Sequence, residues 1–296
     1  MGRALVVLLA AAALSAGCGG GSGTPAGTTL TSLLKRPGPD VALTAGASEF
    51  VPGDVRYPFL VIRNDAKPVY RPTATLWVAK SRAGKPFAHT TGRLEPIGVP
   101  GRSEAAFGGV TRIYVAHLQV PQPGRYWLVA QPRGARIQAF GVLDVAAHPR
   151  SIAVGAKAPR SATPTLATAP AARITTRRPP DLPLLRYSIA GSLAAHRPFV
   201  VTLATPKFCT SRTCGPVVDV MEVVRRRFAS RGVRFIHVEV FRSNNPQLGY
   251  NRWMRQWGLL TEPWVFLVGR DGRVKAKFEG SVSVGELAAA VRSKLL

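Results

Sequence analysis

The chain has 296 residues, which is long for one compact domain and comfortable for two. Lysine and arginine number 40 against 15 acidic residues, so the net charge is +25. This charge is spread along the chain, and no basic motif interleaved with aromatic residues occurs, so we expect no nucleic-acid partner. The three cysteines exclude a disulfide-scaffold mini-domain and a multi-cysteine zinc or iron–sulfur protein. Because three is odd, at most one disulfide can form within the chain.

The N-terminus has the pattern of an export signal. Arg3 precedes an apolar run over residues 4–14, too short to cross a bilayer, and small residues then lead to Cys18. The segment resembles a bacterial lipoprotein signal, which implies lipidation of Cys18, although Ser15 stands where that family prefers leucine. The alternative is an ordinary secretory signal cut near Ala16 or Gly17. Both interpretations export the protein, and the first predicts a lipid anchor on the extracytoplasmic face of the cell membrane.

Composition divides the rest of the chain into segments. Glycine and serine follow Cys18 and predict a flexible tether. Short alternating runs separated by Gly/Pro turns predict an antiparallel Ig-like β-sandwich, and a Pro-x-Pro-Gly turn before an aromatic strand resembles Ig-like modules of the YtkA/FixH type. The predicted segments are a signal peptide at 1–17, a tether at 18–40, a β-sandwich at 41–146, a Pro-rich linker or lead-in at 147–185 and a second domain at 186–296.

Helical and strand patterns alternate in the second domain. Apolar runs predict strands at 199–204, 234–240, 264–268 and 274–278. Helical spacing and capping residues predict helices at 188–195, 216–229, 246–257 and 284–295. The order α-β-α-β-α-β-β-α is that of the thioredoxin fold, so we expect an α/β domain here.

Two cysteines lie where that order places a reactive site. Cys209 closes the first strand after Phe208, and Cys214-Gly215-Pro216 opens the next helix. Together with Glu262-Pro263 before the third strand, these residues resemble the thioredoxin superfamily over residues 150–296, and also a group of lipoproteins with a Phe-Cys-x4-Cys-Gly-Pro site. The resemblance implies that Cys209 is the attacking thiol, Cys214 the resolving thiol and Pro263 a cis-proline facing them.

The charge around Cys209 favours this role. A cysteine near a helix N-terminus is stabilised as the thiolate, which is the nucleophile of disulfide exchange. Lys207 and Arg212 flank Cys209 and are predicted to stabilise the thiolate further.

Two features depart from the family pattern. The Cys-x4-Cys spacing requires residues 209–214 to form a loop if the two sulfurs are to bond. Leu203 stands where many members carry a buried acid. Glu262 is the acid that we place near the site, either as a proton relay or as an exposed carboxylate.

Three functions fit these observations. The first is a membrane-anchored extracytoplasmic thiol–disulfide oxidoreductase with an unidentified protein thiol or disulfide partner and no metal or other cofactor. The second is a SCO-like copper chaperone, which needs a histidine beside the cysteines; none of the five histidines falls in the expected loop. The third is a non-enzymatic binding lipoprotein in which Cys209 and Cys214 form a structural disulfide.

Overall fold

A computed structural model describes residues 27–103 and 110–296. The predicted signal peptide, the predicted lipidation site Cys18 and the start of the predicted tether lie outside the described residues. The described residues form a closed β-barrel in the first half and a separate four-stranded sheet in the second. In these two ranges, no helix combines the length and the apolar character that crossing a membrane requires.

The barrel is closed by its first strand. Its strand order is β1-β2-β5-β4-β3-β6-β7, and β1 pairs antiparallel with β2 and parallel with β7. The strands are β1 Val41–Ala45, β2 Gly53–Arg63, β3 Thr73–Ala79, β4 Ala88–Pro96, β5 Arg112–Val120, β6 Gly124–Pro132 and β7 Ala139–Val145. Alternate residues point inward, as the period of a strand requires, and a stack of aromatic rings from Tyr57, Phe59 and Tyr114 fills the centre.

The predicted Ig-like sandwich is therefore wrong. The long strand β2 pairs with β5 through its first half and with β1 through its second half, which lets the sheet turn back on itself. The bridge between Ala42 and Phe140 then joins β1 to β7. Short alternating strands separated by turns are typical of both sandwiches and barrels, so the sequence pattern could not reveal this closure.

A short helix lies on the outside of the barrel. Helix α1, Leu30–Leu34, begins at Thr29, whose side chain caps the helix by accepting the Ser32 N–H. Leu30 and Leu33 are buried against the outer face of β3 and β6. The end of the segment predicted as a flexible tether is thus a helix held by the barrel.

The second sheet has the order β11-β10-β8-β9, with β8 and β9 parallel and the other pairs antiparallel. Its strands are β8 Phe199–Leu203, β9 Arg234–Val238, β10 Trp264–Val268 and β11 Val274–Glu279. The helices of this half are α2 Ala171–Ile174, α3 Ile189–Ala194, α4 Cys214–Phe228, α5 Arg252–Gln256 and α6 Val284–Lys294. Short 3-10 turns cover Leu182–Leu185, Ala229–Arg231, Arg242–Asn244 and Pro246–Leu248.

The predicted thioredoxin-like α/β fold is also wrong as a fold class, because the described part of the chain contains few helices. In this half only α4 and α6 exceed six residues, and both pack on the same face of the sheet. The predicted helix at 246–257 is interrupted by Gly249, whose φ of 70° ends the 3-10 turn before α5. The other face is covered mainly by short turns around Trp257 and by the lead-in segment.

The Pro-rich lead-in packs along this second sheet. It contains little regular structure, but Ser161, Ile174, Thr175 and Leu184 are buried. The Ser161 hydroxyl accepts the Trp257 indole N–H at 3.1 Å, which ties the lead-in to the core. The segment is therefore part of the folded unit around the sheet.

Ion pairs join the barrel to the second sheet. Arg56 of β2 donates twice to Glu286 of α6, at 2.7 and 3.0 Å, and both side chains are largely buried. Lys277 of β11 lies 2.8 Å from Glu49, just before β2. These partly buried charged contacts fix the barrel against the edge of the sheet that β11 forms.

Candidate functional site

The two cysteines lie at the start of α4, directly after β8. Residues 209–213 form a turn, as the Cys-x4-Cys spacing requires, and α4 begins at Cys214 instead of at Pro216. Arg212 has a φ of 58°, and its backbone N–H donates to the Cys209 carbonyl at 3.2 Å, which closes the turn. The left-handed conformation of Arg212 reverses the chain, so that the backbone of Cys214 lies next to the Cys209 sulfur.

Hydrogen bonds converge on the Cys209 sulfur. The backbone N–H of Cys214 donates to Cys209 Sγ at 3.3 Å, as expected for an anion at a helix N-terminus. The Ser211 hydroxyl lies 3.2 Å from the same sulfur and 2.8 Å from the Thr213 hydroxyl. Sequence reasoning did not single out Ser211, because its contact depends on the turn geometry.

The environment separates the pKa values of the two thiols. The hydrogen bond from the Cys214 side chain, helped by those from Ser211 and the Cys214 backbone, lowers the Cys209 pKa to about 6 despite partial burial. Burial strongly raises the pKa of Cys214, and the neighbouring Cys209 raises it further. At neutral pH, Cys209 is thus a partly exposed thiolate, and Cys214 is a buried thiol.

Lys207 lies just before the turn, and Arg212 lies within it. The Lys207 ammonium lies 5.2 Å from the centre of the Phe208 ring, where it makes a cation–π contact. Arg212 contributes its backbone to the turn, as described above. The groups that hydrogen-bond to Cys209 Sγ belong to Cys214 and Ser211.

Glu262 and Pro263 lie close to the thiols. The peptide bond between them is cis, as the resemblance implied for Pro263. The charge of Glu262 partly opposes the lowering of the Cys209 pKa and adds to the raising of the Cys214 pKa. Its carboxylate accepts a hydrogen bond of 2.5 Å from the Tyr250 hydroxyl, and burial followed by this contact raises the Tyr250 pKa.

Aromatic rings connect Tyr250 with the cysteine turn. Tyr250 stacks on Phe241 with ring centres 5.4 Å apart, and Phe241 meets the edge of Phe208 at 6.4 Å. Sequence reasoning missed Tyr250 and Phe241, because a pair of residues nine apart in a loop carries no period that would mark it. These rings fix the position of Glu262 relative to the cysteines.

A buried acid, Glu239, lies behind the site, directly after β9. Glu239 accepts the backbone N–H and the hydroxyl of Thr176, both at 2.6 Å, and the Lys207 N–H donates to the same hydroxyl at 3.2 Å. His237 lies on β9 two residues before Glu239, with a ring nitrogen 3.0 Å from the Ala204 carbonyl oxygen, and burial lowers its pKa. The structure therefore has a buried carboxylate behind the cysteine turn, although Leu203 occupies the position where one was sought.

Two hollows flank the cysteine turn. One, of about 320 Å³, lies between the barrel and the turn; barrel residues such as Leu60 and Ile113 form its apolar wall, and Arg212, Thr213 and Glu262 form its polar wall. The other, of about 710 Å³, lies on the opposite side of the turn. Its lining includes Arg102, Arg177, Arg178, Lys207, Phe208 and Asp219.

A loop of the barrel holds the start of α4. Ser103 donates to Asp219 at 2.7 Å, and Arg102 lies 3.2 Å from the same carboxylate. Gly98, with a φ of 73°, approaches Pro216 so closely that an added Cβ would lie 2.7 Å from the Pro216 Cβ. The barrel thus sets the position of the helix whose first N–H groups face Cys209.

The described residues offer little for a resident metal ion. Within the ranges that the structure covers, no group of three or more His, Cys, Asp and Glu side chains is placed to bind one. His237 is the histidine behind the site, and both of its ring nitrogens face protein oxygens, at Ala204 and Thr175. No contact favours the copper-chaperone alternative.

Comparisons with known proteins give a weak likeness to solved structures. No protein-family profile matches the chain, and neither does any curated protein. Among solved structures, the chain is similar to a thiol:disulfide interchange protein of the thioredoxin family from Chlorobium tepidum TLS, with 19% identity and a TM-score of 0.29 over 37% of this chain and 90% of the other. A structural neighbour is thus a thioredoxin-family protein, weakly matched.

Proposed function

We propose that the protein is a thiol–disulfide oxidoreductase that acts through Cys209 and Cys214 on the outer side of the membrane. The observation that carries the proposal is the asymmetry of the pair. Cys209 is partly exposed and accepts the first N–H of α4, while Cys214 is completely buried beside it. This arrangement gives one thiolate that can attack and one thiol that is shielded until a mixed disulfide forms.

The reaction follows from these positions. The Cys209 thiolate attacks one sulfur of a partner disulfide, a Cys209–partner bond forms, and the partner's other sulfur leaves as a thiolate. Cys214 then loses its proton and attacks Cys209 Sγ, which releases the partner's second sulfur as a thiolate. The partner gains two electrons, and Cys209 and Cys214 are oxidised to a disulfide. The same steps in reverse oxidise a partner dithiol.

Glu262 is the group proposed to take up the Cys214 proton. It is an acid whose charge acts on both thiols, and its carboxylate is held in place by the Tyr250 hydroxyl. The Cys214 pKa is raised by burial, so a base is needed before the second attack can occur at neutral pH.

The reduction potential of the Cys209–Cys214 pair tests the proposal. We expect the pair to equilibrate with a glutathione or dithiothreitol redox buffer, and Cys209→Ser to abolish disulfide exchange with a model dithiol. Cys214→Ser should instead accumulate a mixed disulfide at Cys209, because the resolving thiol is missing. A wild-type pair that forms a disulfide and resists all exchange would contradict the proposal and indicate a structural bond.

The membrane anchor is a separate part of the proposal. It rests on the apolar run and small residues before Cys18. Metabolic labelling with a fatty acid should mark the wild-type protein and fail to mark Cys18→Ala. Secretion of an unlabelled wild-type protein would instead support the ordinary export signal.

A further inference from the structure

An arginine groove lies at the opposite end of the second sheet from the cysteines. It is a hollow of about 210 Å³ that includes Arg186, Arg197, Arg225, Arg234 and Tyr187 in its lining. These residues come from the two positions after the 3-10 turn Leu182–Leu185, the segment before β8, the last turn of α4 and the start of β9. Four guanidinium groups from four separate segments therefore meet in one small space.

The arginines of the groove have no acidic partner at contact distance. In the described part of the chain, no carboxylate oxygen lies within 4.0 Å of any of the four guanidinium groups. Asp181 interacts with Arg225 electrostatically, but it forms no ion pair with the groove at contact distance. Four guanidinium groups without a carboxylate in contact give the groove a local excess of positive charge.

Hydrogen-bonding capacity in the groove is also unused. The Arg225 Nε–H is buried and has no hydrogen-bond acceptor. A buried donor without an acceptor costs free energy, and an anion in the groove would supply one. Arg226, its neighbour on α4, is by contrast paired with Glu222.

Tyr187 and Arg234 give the groove a fixed wall. The Arg234 guanidinium lies 4.4 Å from the centre of the Tyr187 ring, and its Nη1 also donates to the Gly191 carbonyl at 3.2 Å. A stacked, hydrogen-bonded arginine loses less conformational freedom on binding an anion than a free side chain does. The C-terminal dipole of α4 stabilises cations at this end but does not explain why they converge on a cavity.

We propose that this groove binds a phosphate group. Planar guanidinium groups bind phosphate oxygens through paired hydrogen bonds, and the volume suits one phosphate with part of its ester chain. The phosphate can be that of an anionic lipid head group or a free phosphate, and the two sources are separated by experiment. Arg225 lies 11 residues after Cys214 on α4, about 16 Å along the helix axis, so the groove is remote from the thiols.

Inorganic phosphate is the first probe. The full chain carrying Cys18→Ser, so that no lipid is attached, is titrated with phosphate at constant ionic strength, and binding is measured by calorimetry and by the rise in melting temperature. We expect saturable binding that Arg225→Gln and Arg234→Gln each weaken at least about tenfold. Arg227→Gln, an exposed neighbour on the same helix and outside the groove, removes the same charge and should leave binding unchanged.

Vesicles identify the source of the phosphate. Phosphatidylglycerol vesicles that retain the protein through Arg225 and Arg234, and release it when phosphate is added, would support a lipid head group. Phosphate binding without vesicle binding would support a free phosphate ligand. The proposal is overturned if neither probe binds, or if Arg227→Gln weakens binding as much as the two groove variants, since the charge would then act only diffusely. None of these outcomes depends on the redox activity.

Discussion

Replacing Cys214 by alanine should raise the pKa of Cys209. The hydrogen bond from the Cys214 side chain is the largest contribution that lowers this pKa to about 6, while the Ser211 and backbone contacts remain in the variant. A hydrogen bond to a charged group contributes about 1.5–3 kcal/mol, and about 1.4 kcal/mol corresponds to a tenfold change in proton affinity. The pKa should therefore rise to between about 7 and 8, and the thiolate fraction at pH 7 should fall from about nine-tenths to about half or less.

The assay is the pH dependence of alkylation of Cys209. Trypsin cleaves after Lys207 and Arg212, so Cys209 and Cys214 fall in different peptides, and mass spectrometry follows Cys209 without interference from Cys18. The midpoint of the rate against pH reports the pKa even if the intrinsic nucleophilicity of the sulfur changes between variants. Ser211→Ala should raise the midpoint less than Cys214→Ala, and Thr210→Ala, an exposed neighbour in the turn, should leave it in place. Equal midpoints near pH 8.5 in all four proteins would refute the reasoning.

Three further predictions concern the contacts between the barrel and the second sheet. Gly98→Ala should lower the free energy of unfolding, measured in urea, by about 1–3 kcal/mol, because the added Cβ would lie under 3 Å from Ser103 and Pro216. Gly101→Ala has a similar φ of 76° but open space around the added Cβ, so it should cost less. Equal losses in the two variants would exclude the close approach as the cause. Arg56→Gln should cost about 2–4 kcal/mol of unfolding free energy, since it leaves Glu286 partly buried without its partner. Arg125→Gln, in the exposed pair with Asp144, should cost much less, and a similar cost for both would contradict the burial argument. Burial raises the Glu49 pKa, but contacts with Lys277 and Ser151 lower it overall below 4.5, so its stabilising contribution is present above pH 4.5 and is lost as the pH falls through the folded-state pKa. Glu49→Gln should flatten the acid limb of the stability curve measured by denaturant midpoints, and an unchanged limb would show that Glu49 does not contribute to it.

The two central strands of the second sheet, β8 and β10, could be predicted because they are buried on both faces. Phe199–Leu203 and Trp264–Val268 are continuous apolar runs, and such runs locate a strand without any knowledge of its neighbours. The predicted helix at 246–257 failed because the left-handed conformation of Gly249 depends on the turn in which it sits. The closure of the barrel could not be predicted for a related reason, since the pairing between β1 and β7 joins residues far apart in the sequence.

The residues of the candidate site could likewise be predicted only in part. The positions of Cys209 in the segment between β8 and α4, and of Cys214 at the start of α4, follow from local pattern. Ser211 and Tyr250 do not, because their contacts depend on a left-handed turn and on a loop that returns from β9. The arginine groove could not be predicted either, since each of its arginines alone has the pattern of a solvated surface charge.

If Cys18 is lipidated as proposed, helix α1 limits how far the protein can extend from the membrane. The barrel holds the chain from Leu30 of this helix onward, and not only from the first strand. Eleven residues separate Cys18 from Leu30, and a chain of that length spans at most about 40 Å. The segment between Cys18 and β1 is about twice as long. An anchored protein would then meet only partners whose reactive sulfurs lie near the bilayer, so the length of this segment would restrict which thiols it can reach.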